Sequence, residues 1–155
     1  GAATTLSTGS AESRTARGSE KPAAFADMRL SEATVTTLRD FVPEEDLRRM
    51  RLLTGIPWRW APVLLGMSAV TFSPFVFMRA GRYRPETARG LALLAHEAVH
   101  IGQVRELGWR FYPKYLWGQF KCGFRHDSHE MEIPGIEVQR TARRVLESRS
   151  GGGAW

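Results

Sequence analysis

Residues 85–107, PETARGLALLAHEAVHIGQVREL, limit the possible folds of this chain more than any other stretch. The run opens on a proline, stops at Gly108, and repeats apolar residues at helical spacing: Leu91, Leu94, Ala95, Ala98 and Ile101. That period puts one apolar stripe along an α-helix, with the glycine as its terminator. A helix this long with a buried stripe needs other elements around it, so it is expected at the centre of the domain. The same helix carries His96, Glu97 and His100. Residues four apart lie one turn above each other on a helix face, so the two imidazoles converge on one point.

The segments on either side predict what covers that helix. SEATVTTLRDFV (31–42) starts with a Ser-x-x-Thr pattern and reads as a short helix. PEEDLRRMRLLTG (43–55) has a proline and acids in its first turn and a closing glycine, which predicts a second helix. AVTFSPFVFM (69–78) is rich in β-branched and aromatic residues and fits one or two buried strands within 62–79. PKYLWGQFKCGF (113–124) predicts another helix, with its Trp and Phe residues in the core rather than forming a substrate platform. A last helix is expected from about Pro134 onward. Helices, a small sheet, then helices make an α+β domain with the central helix at its middle.

The domain is expected over 26–149. Residues 1–25 are rich in Ala, Ser, Thr and Gly and read as a flexible tail, as does the Gly-rich 150–155. The chain carries 22 Lys and Arg against 16 Asp and Glu, a net charge of +6. The arginines are spread over every segment, RTARR at 140–144 is the one dense run, and no zinc-finger, RRM or KH pattern occurs. No specific nucleic-acid partner is therefore expected. In WAPVLLGMSAVTFSPFVFM (60–78), Pro62, Gly66 and Pro74 argue against a membrane-spanning helix. Cys122 is the single cysteine, so no internal disulfide forms, and a reducing compartment is compatible. A cytoplasmic protein and one exported in folded form both remain open.

The central helix suggests a chemistry. Two imidazoles aimed at one point supply the first two ligands of a first-row metal such as zinc, and Glu97 lies about 100° round the helix from His96. From there a carboxylate reaches a water held by the metal rather than the metal itself, which is the HExxH pattern of zinc peptidases. Two histidines and a glutamate on a buried face are costly unless paired or metal-bound. A third ligand is expected from HEMEIPGIEVQRTARR (129–144), which offers Glu130, Glu132 and Glu137. Glu137 is the choice, because it lies within the predicted last helix, whereas the others read as a hydrated connection. His126, His129, Tyr112 and Tyr115 are candidates to stabilise a developing oxyanion. Cys122 and His126, also four apart, are not read as a second metal site.

LRRMRLLTG followed by SAVTFSPFVFMRAGRYRPETARGLALLAHEAVHIGQ, roughly residues 40–104, resembles the DUF4157 family, also called the extracellular contractile injection system (eCIS) core domain. Its pattern has a helix ending in "rvhtg", a strand pair, and then "LLaHElvHvvQ". The resemblance implies a minimal gluzincin-like zinc metallopeptidase fold, with His96 and His100 as ligands, Glu97 as general base and Gln103 as the family's residue after the second histidine. IPGIEVQRTARR is similar to the third-ligand segment of related small zincins, which again points to Glu137. This chain has one extra residue after the proline, and Gln139 where a second glutamate is common.

Two functions follow. The main expectation is a zinc endopeptidase that hydrolyses a peptide or protein substrate with Glu97 as base. The alternative is a non-catalytic, zinc-stabilised interaction module associated with injection-system or toxin components.

Overall fold

The computed structural model describes residues 26–54, 69–79, 81–121, 123 and 129–151. Among these the order is β1 (Ala26–Arg29), α1 (Glu32–Leu38), α2 (Glu44–Arg49), β2 (Arg51–Thr54), β3 (Ala69–Phe72) and β4 (Phe75–Met78). The long helix α3 (Ala88–Leu107), a 3-10 turn (Gly108–Arg110), α4 (Phe111–Lys121) and α5 (Ile133–Gly151) follow. This is an α+β domain, as the element pattern predicts.

Local signals set the helix starts. Ser31 caps α1 by accepting the Thr34 N–H on its Oγ at 3.2 Å. Thr87 does the same for α3, accepting the Gly90 N–H at 3.0 Å, so α3 begins at Ala88 and 85–87 form the turn before it. The helix expected over 43–55 stops at Arg49, and Arg51–Thr54 is a strand instead. Six residues are too few for a helix to sustain itself. Leu52 and Leu53 gain burial at 0% and 6% exposure, and β2 gains ladders on both sides, antiparallel with β1 and parallel with β4. The strand β1, ADMR, has no alternating pattern to announce it, and it pairs Met28 with Leu52. The AVTFSPFVFM stretch forms two strands, β3 and β4, paired antiparallel. The remaining strand material expected at 62–68 lies outside the described residues.

The sheet order is β1-β2-β4-β3, which leaves β3 at an edge. α3 lies against α5, α2 and β3. Leu94, Ala95, Ala98 and Ile101 of its stripe are fully buried with Leu38, Leu47, Met50, Leu52 and Val76. Each large apolar side chain contributes roughly 1.5–3 kcal/mol by leaving water. One charge is buried with them. Asp46 of α2 is 1% exposed, and Arg105 of α3 donates from Nη2 to its Oδ2 at 3.2 Å, with Nε 2.9 Å from Oδ1 in the same ion pair, tying the two helices together.

α4 spans 111–121 rather than 113–124, and its aromatic residues are not all core. Phe111 is buried, but Trp109, Trp117 and Phe120 are 75%, 60% and 69% exposed. Among the described residues, α4 meets the domain through Phe111, Tyr112, Tyr115 and Gly118. α5 continues to Gly151, two residues into the segment expected as a tail. No helix of the described residues is long and apolar enough to cross a membrane.

Candidate metal centre

The α3 period delivers His96 and His100 to one side, and their Nε2 atoms lie 3.2 Å apart. Both side chains are buried, at 4% and 5% residue exposure. The carboxylate that meets them is Glu132, 0% exposed, at the entry to α5. Its Oε2 is 3.2 Å from His96 Nε2 and its Oε1 is 3.4 Å from His100 Nε2. Three such ligand atoms lie within 4.8 Å of one another and are able to hold a metal ion.

The donor set fits zinc. Tetrahedral bonds of about 2.0–2.1 Å to His nitrogen and carboxylate oxygen require ligand atoms about 3.3 Å apart. The two Nε2 atoms lie 3.2 Å apart, and each lies 3.2 or 3.4 Å from one or the other Glu132 oxygen, near that value. Two imidazoles and one carboxylate form a borderline N/O set that suits zinc better than calcium or magnesium, which prefer all-oxygen shells.

The sequence points to Glu137 as the third ligand, but in the structure the carboxylate grouped with His96 and His100 is that of Glu132. Glu137 is exposed on another side of α5, where it lines a shallow pocket with Asp40, Phe41 and Thr141. Glu132 was read as part of a hydrated loop, yet its carbonyl accepts the Ile136 N–H and starts α5. Pro134 one position into that helix and Gly135 next to it were the available signals. Gly135 matters sterically. A Cβ there would lie 2.9 Å from His96 Cε1, closer than real contacts allow, so only glycine lets α5 approach the first histidine.

Gln103 sets the second histidine. Its Nε2 donates to the Met131 carbonyl at 2.9 Å, and its Oε1 faces His100 Nδ1 at 2.9 Å. A carbonyl only accepts, so the amide orientation is fixed and Oε1 must accept from His100 Nδ1–H. With the proton on Nδ1 held by Gln103, Nε2 is the nitrogen left to give up its proton and face a metal ion. The same amide ties the residue before Glu132 to α3.

The electrostatics are those of a tightly coupled cluster. Burial alone would lower the His100 imidazolium, but its bond to Glu132, the fields of Glu97 and Glu132 and the Gln103 bond carry it up to about 9. Burial would raise the Glu132 carboxyl, yet hydrogen bonds from His100, His96 and Tyr115 and the field of His100 hold it well below the usual carboxylate range. The Tyr115 hydroxyl donates to Glu132 Oε1. Burial first, and then Glu132, push that phenol up.

Glu97 is 4% exposed, and the Thr71 hydroxyl of edge strand β3 donates to its Oε2 at 2.6 Å. Among the oxyanion candidates, Tyr115 reaches the site through Glu132. Tyr112 turns away, stacked on Phe72 with ring centroids 4.5 Å apart. His129 is a buried latch. Its Nδ1 accepts the Met131 N–H at 3.1 Å, so Nε2 carries the proton and donates to the Tyr115 carbonyl at 2.8 Å. A Cβ on Gly118 would lie 2.5 Å from that Nε2, so this close seat of α4 needs glycine. His126 and Cys122 lie outside the described residues.

No curated protein and no solved structure matches the chain. The family model described as the eCIS core domain matches residues 29–108, just over half of the chain and all of α3. The chain therefore belongs to the eCIS core domain family.

Proposed function

We propose that His96, His100 and Glu132 hold one zinc ion, and that the ion organises an interaction module of a protein associated with contractile injection systems. The convergence of the three donors at 3.2–3.4 Å carries the metal part of this reading. Family membership supports the association with injection-system components. The ion joins the middle of α3 to the start of α5, the two longest helices, so binding would act as folding free energy.

Burial favours a structural over a hydrolytic ion. The donor side chains are 5%, 7% and 0% exposed, so the described residues leave them little open surface. A second reading, hydrolysis of a peptide bond, draws on Glu97 beside the donors. A bound zinc would supply Lewis acidity that makes water nucleophilic near neutral pH. Glu97 would take the proton, Thr71 would hold its carboxylate in place, and Tyr115 would fix Glu132.

Thermal unfolding with and without a strong chelator, run beside Glu97→Gln, separates the two. The module reading expects a large loss of melting temperature on chelation, no cleavage of unfolded casein or a peptide library, and unchanged metal content in Glu97→Gln. Cleavage by the native chain that Glu97→Gln abolishes would establish hydrolysis instead.

A further inference from the structure

The stretch Gly108–Lys121 combines two features that the metal centre does not use. Trp109, Leu116, Trp117 and Phe120 are 75%, 66%, 60% and 69% exposed, and Pro113 between them is exposed as well. At about 100° per residue Pro113, Leu116, Trp117 and Phe120 fall within an arc of about 100°, a continuous apolar stripe on the outer face of α4, and Trp109 lies in the 3-10 turn just before it. The inner face is committed to the domain through Phe111, Tyr115 and Gly118.

The second feature is charge. No Asp or Glu occurs from 108 to 121, and two of the three lysines in the chain, Lys114 and Lys121, lie here with Arg110. All three cations are exposed. On the same wheel Lys114 and Lys121 lie about 20° apart, along one flank of the apolar stripe, and Arg110 lies in the turn before α4. Lys121 Nζ stands 5.7 Å from the Trp117 ring centre. An exposed stripe of Trp, Leu and Phe bordered by Lys and Arg is the distribution of a helix lying in a membrane interface, with rings among the upper acyl chains and ammonium groups at the phosphates.

We infer that the outer face of α4, together with the 3-10 turn before it, docks this domain onto an anionic lipid surface, with Trp109, Leu116, Trp117 and Phe120 inserted and Arg110, Lys114 and Lys121 at the headgroups. The cation row makes the partner anionic, and the apolar stripe calls for a partner that accepts rings without a preformed pocket. This inference is independent of the metal reading.

Flotation of the full chain tests it, with vesicles of phosphatidylcholine alone and of phosphatidylcholine with an equal amount of phosphatidylglycerol. Binding to the anionic vesicles alone is expected. Trp117→Ser with Phe120→Ser should weaken it by roughly tenfold or more, and Lys114→Gln with Lys121→Gln by about 25-fold. All four positions are exposed, so circular dichroism and melting temperature of both variants should match the native chain. Absence of binding, equal binding to both vesicles, or binding unchanged in either variant would overturn the inference. A native dimer in sedimentation that the aromatic pair dissolves, with vesicles left unbound, would assign the face to a second copy of the chain instead.

Discussion

Replacing Gln103 by alanine removes two contacts of 2.9 Å at once, the acceptor for His100 Nδ1–H and the donor to the Met131 carbonyl. The two losses have different consequences. Without the acceptor, His100 is no longer held with its proton on Nδ1, and on losing one proton a fraction of the imidazoles would keep the other on Nε2, which an incoming ion must displace. Without the donor, the connection before Glu132 loses its tie to α3. Outer-shell partners of this kind change metal affinity by about 10- to 100-fold. Ordinary hydrogen bonds of this kind contribute only about 0.5–1.5 kcal/mol each to folding. Gln103→Ala should therefore weaken zinc binding by about 10- to 100-fold while the metal-free protein loses about 1–3 kcal/mol. Competition with a chelating dye measures the first quantity, and chemical unfolding in excess chelator the second. Long-range proton–nitrogen correlation of the imidazoles reads the tautomer directly. Gln103→Glu restores an acceptor for His100 but sets an oxygen against the Met131 carbonyl, so it should recover the tautomer and only part of the affinity. Zinc affinity within about twofold of native in Gln103→Ala, or an unchanged His100 tautomer, would refute the reasoning.

Three further substitutions test the surrounding structure. Gly135→Ala forces a methyl group against His96 and should cost about 1–3 kcal/mol together with zinc affinity, read by melting and dye competition. Arg105→Met leaves the buried Asp46 carboxylate without its partner; the expected loss in a denaturant titration is roughly 2 kcal/mol, less than for a fully buried pair because Arg105 is 33% exposed. Thr71→Val removes the hydroxyl that donates to buried Glu97 and should cost about 2 kcal/mol. Zinc content should stay at the native level in that variant, because Thr71 touches Glu97 and not the donors.

The centre of the fold is readable from periodicity and capping. The apolar stripe of α3, its Gly108 terminator and the four-residue spacing of His96 and His100 are local properties, and local physics decides them. β2 is different, because the acids and arginines of PEEDLRR do start and stop a helix while the fate of RLLT depends on two neighbouring strands. The α4 aromatics mislead for a related reason. Ring content alone does not tell whether a second partner exists, and among the described residues Phe111 is buried while Trp117 and Phe120 stay exposed. The third ligand shows the same limit at the site. Membership in a helix favoured Glu137, but the approach of α5 to α3 is set by Gly135, and that contact brings the first residues of α5 to the histidines and leaves Glu137 in water. A glutamate directly before Ile-Pro-Gly is a usable signal once that packing is seen.

Elemental analysis of the purified native chain beside Glu132→Ala and Glu137→Ala tests the central claim most directly. About one zinc per native chain, retained in Glu137→Ala and lost in Glu132→Ala, is the predicted result. No zinc in the native chain after reconstitution, or zinc that survives Glu132→Ala and disappears in Glu137→Ala, would contradict it.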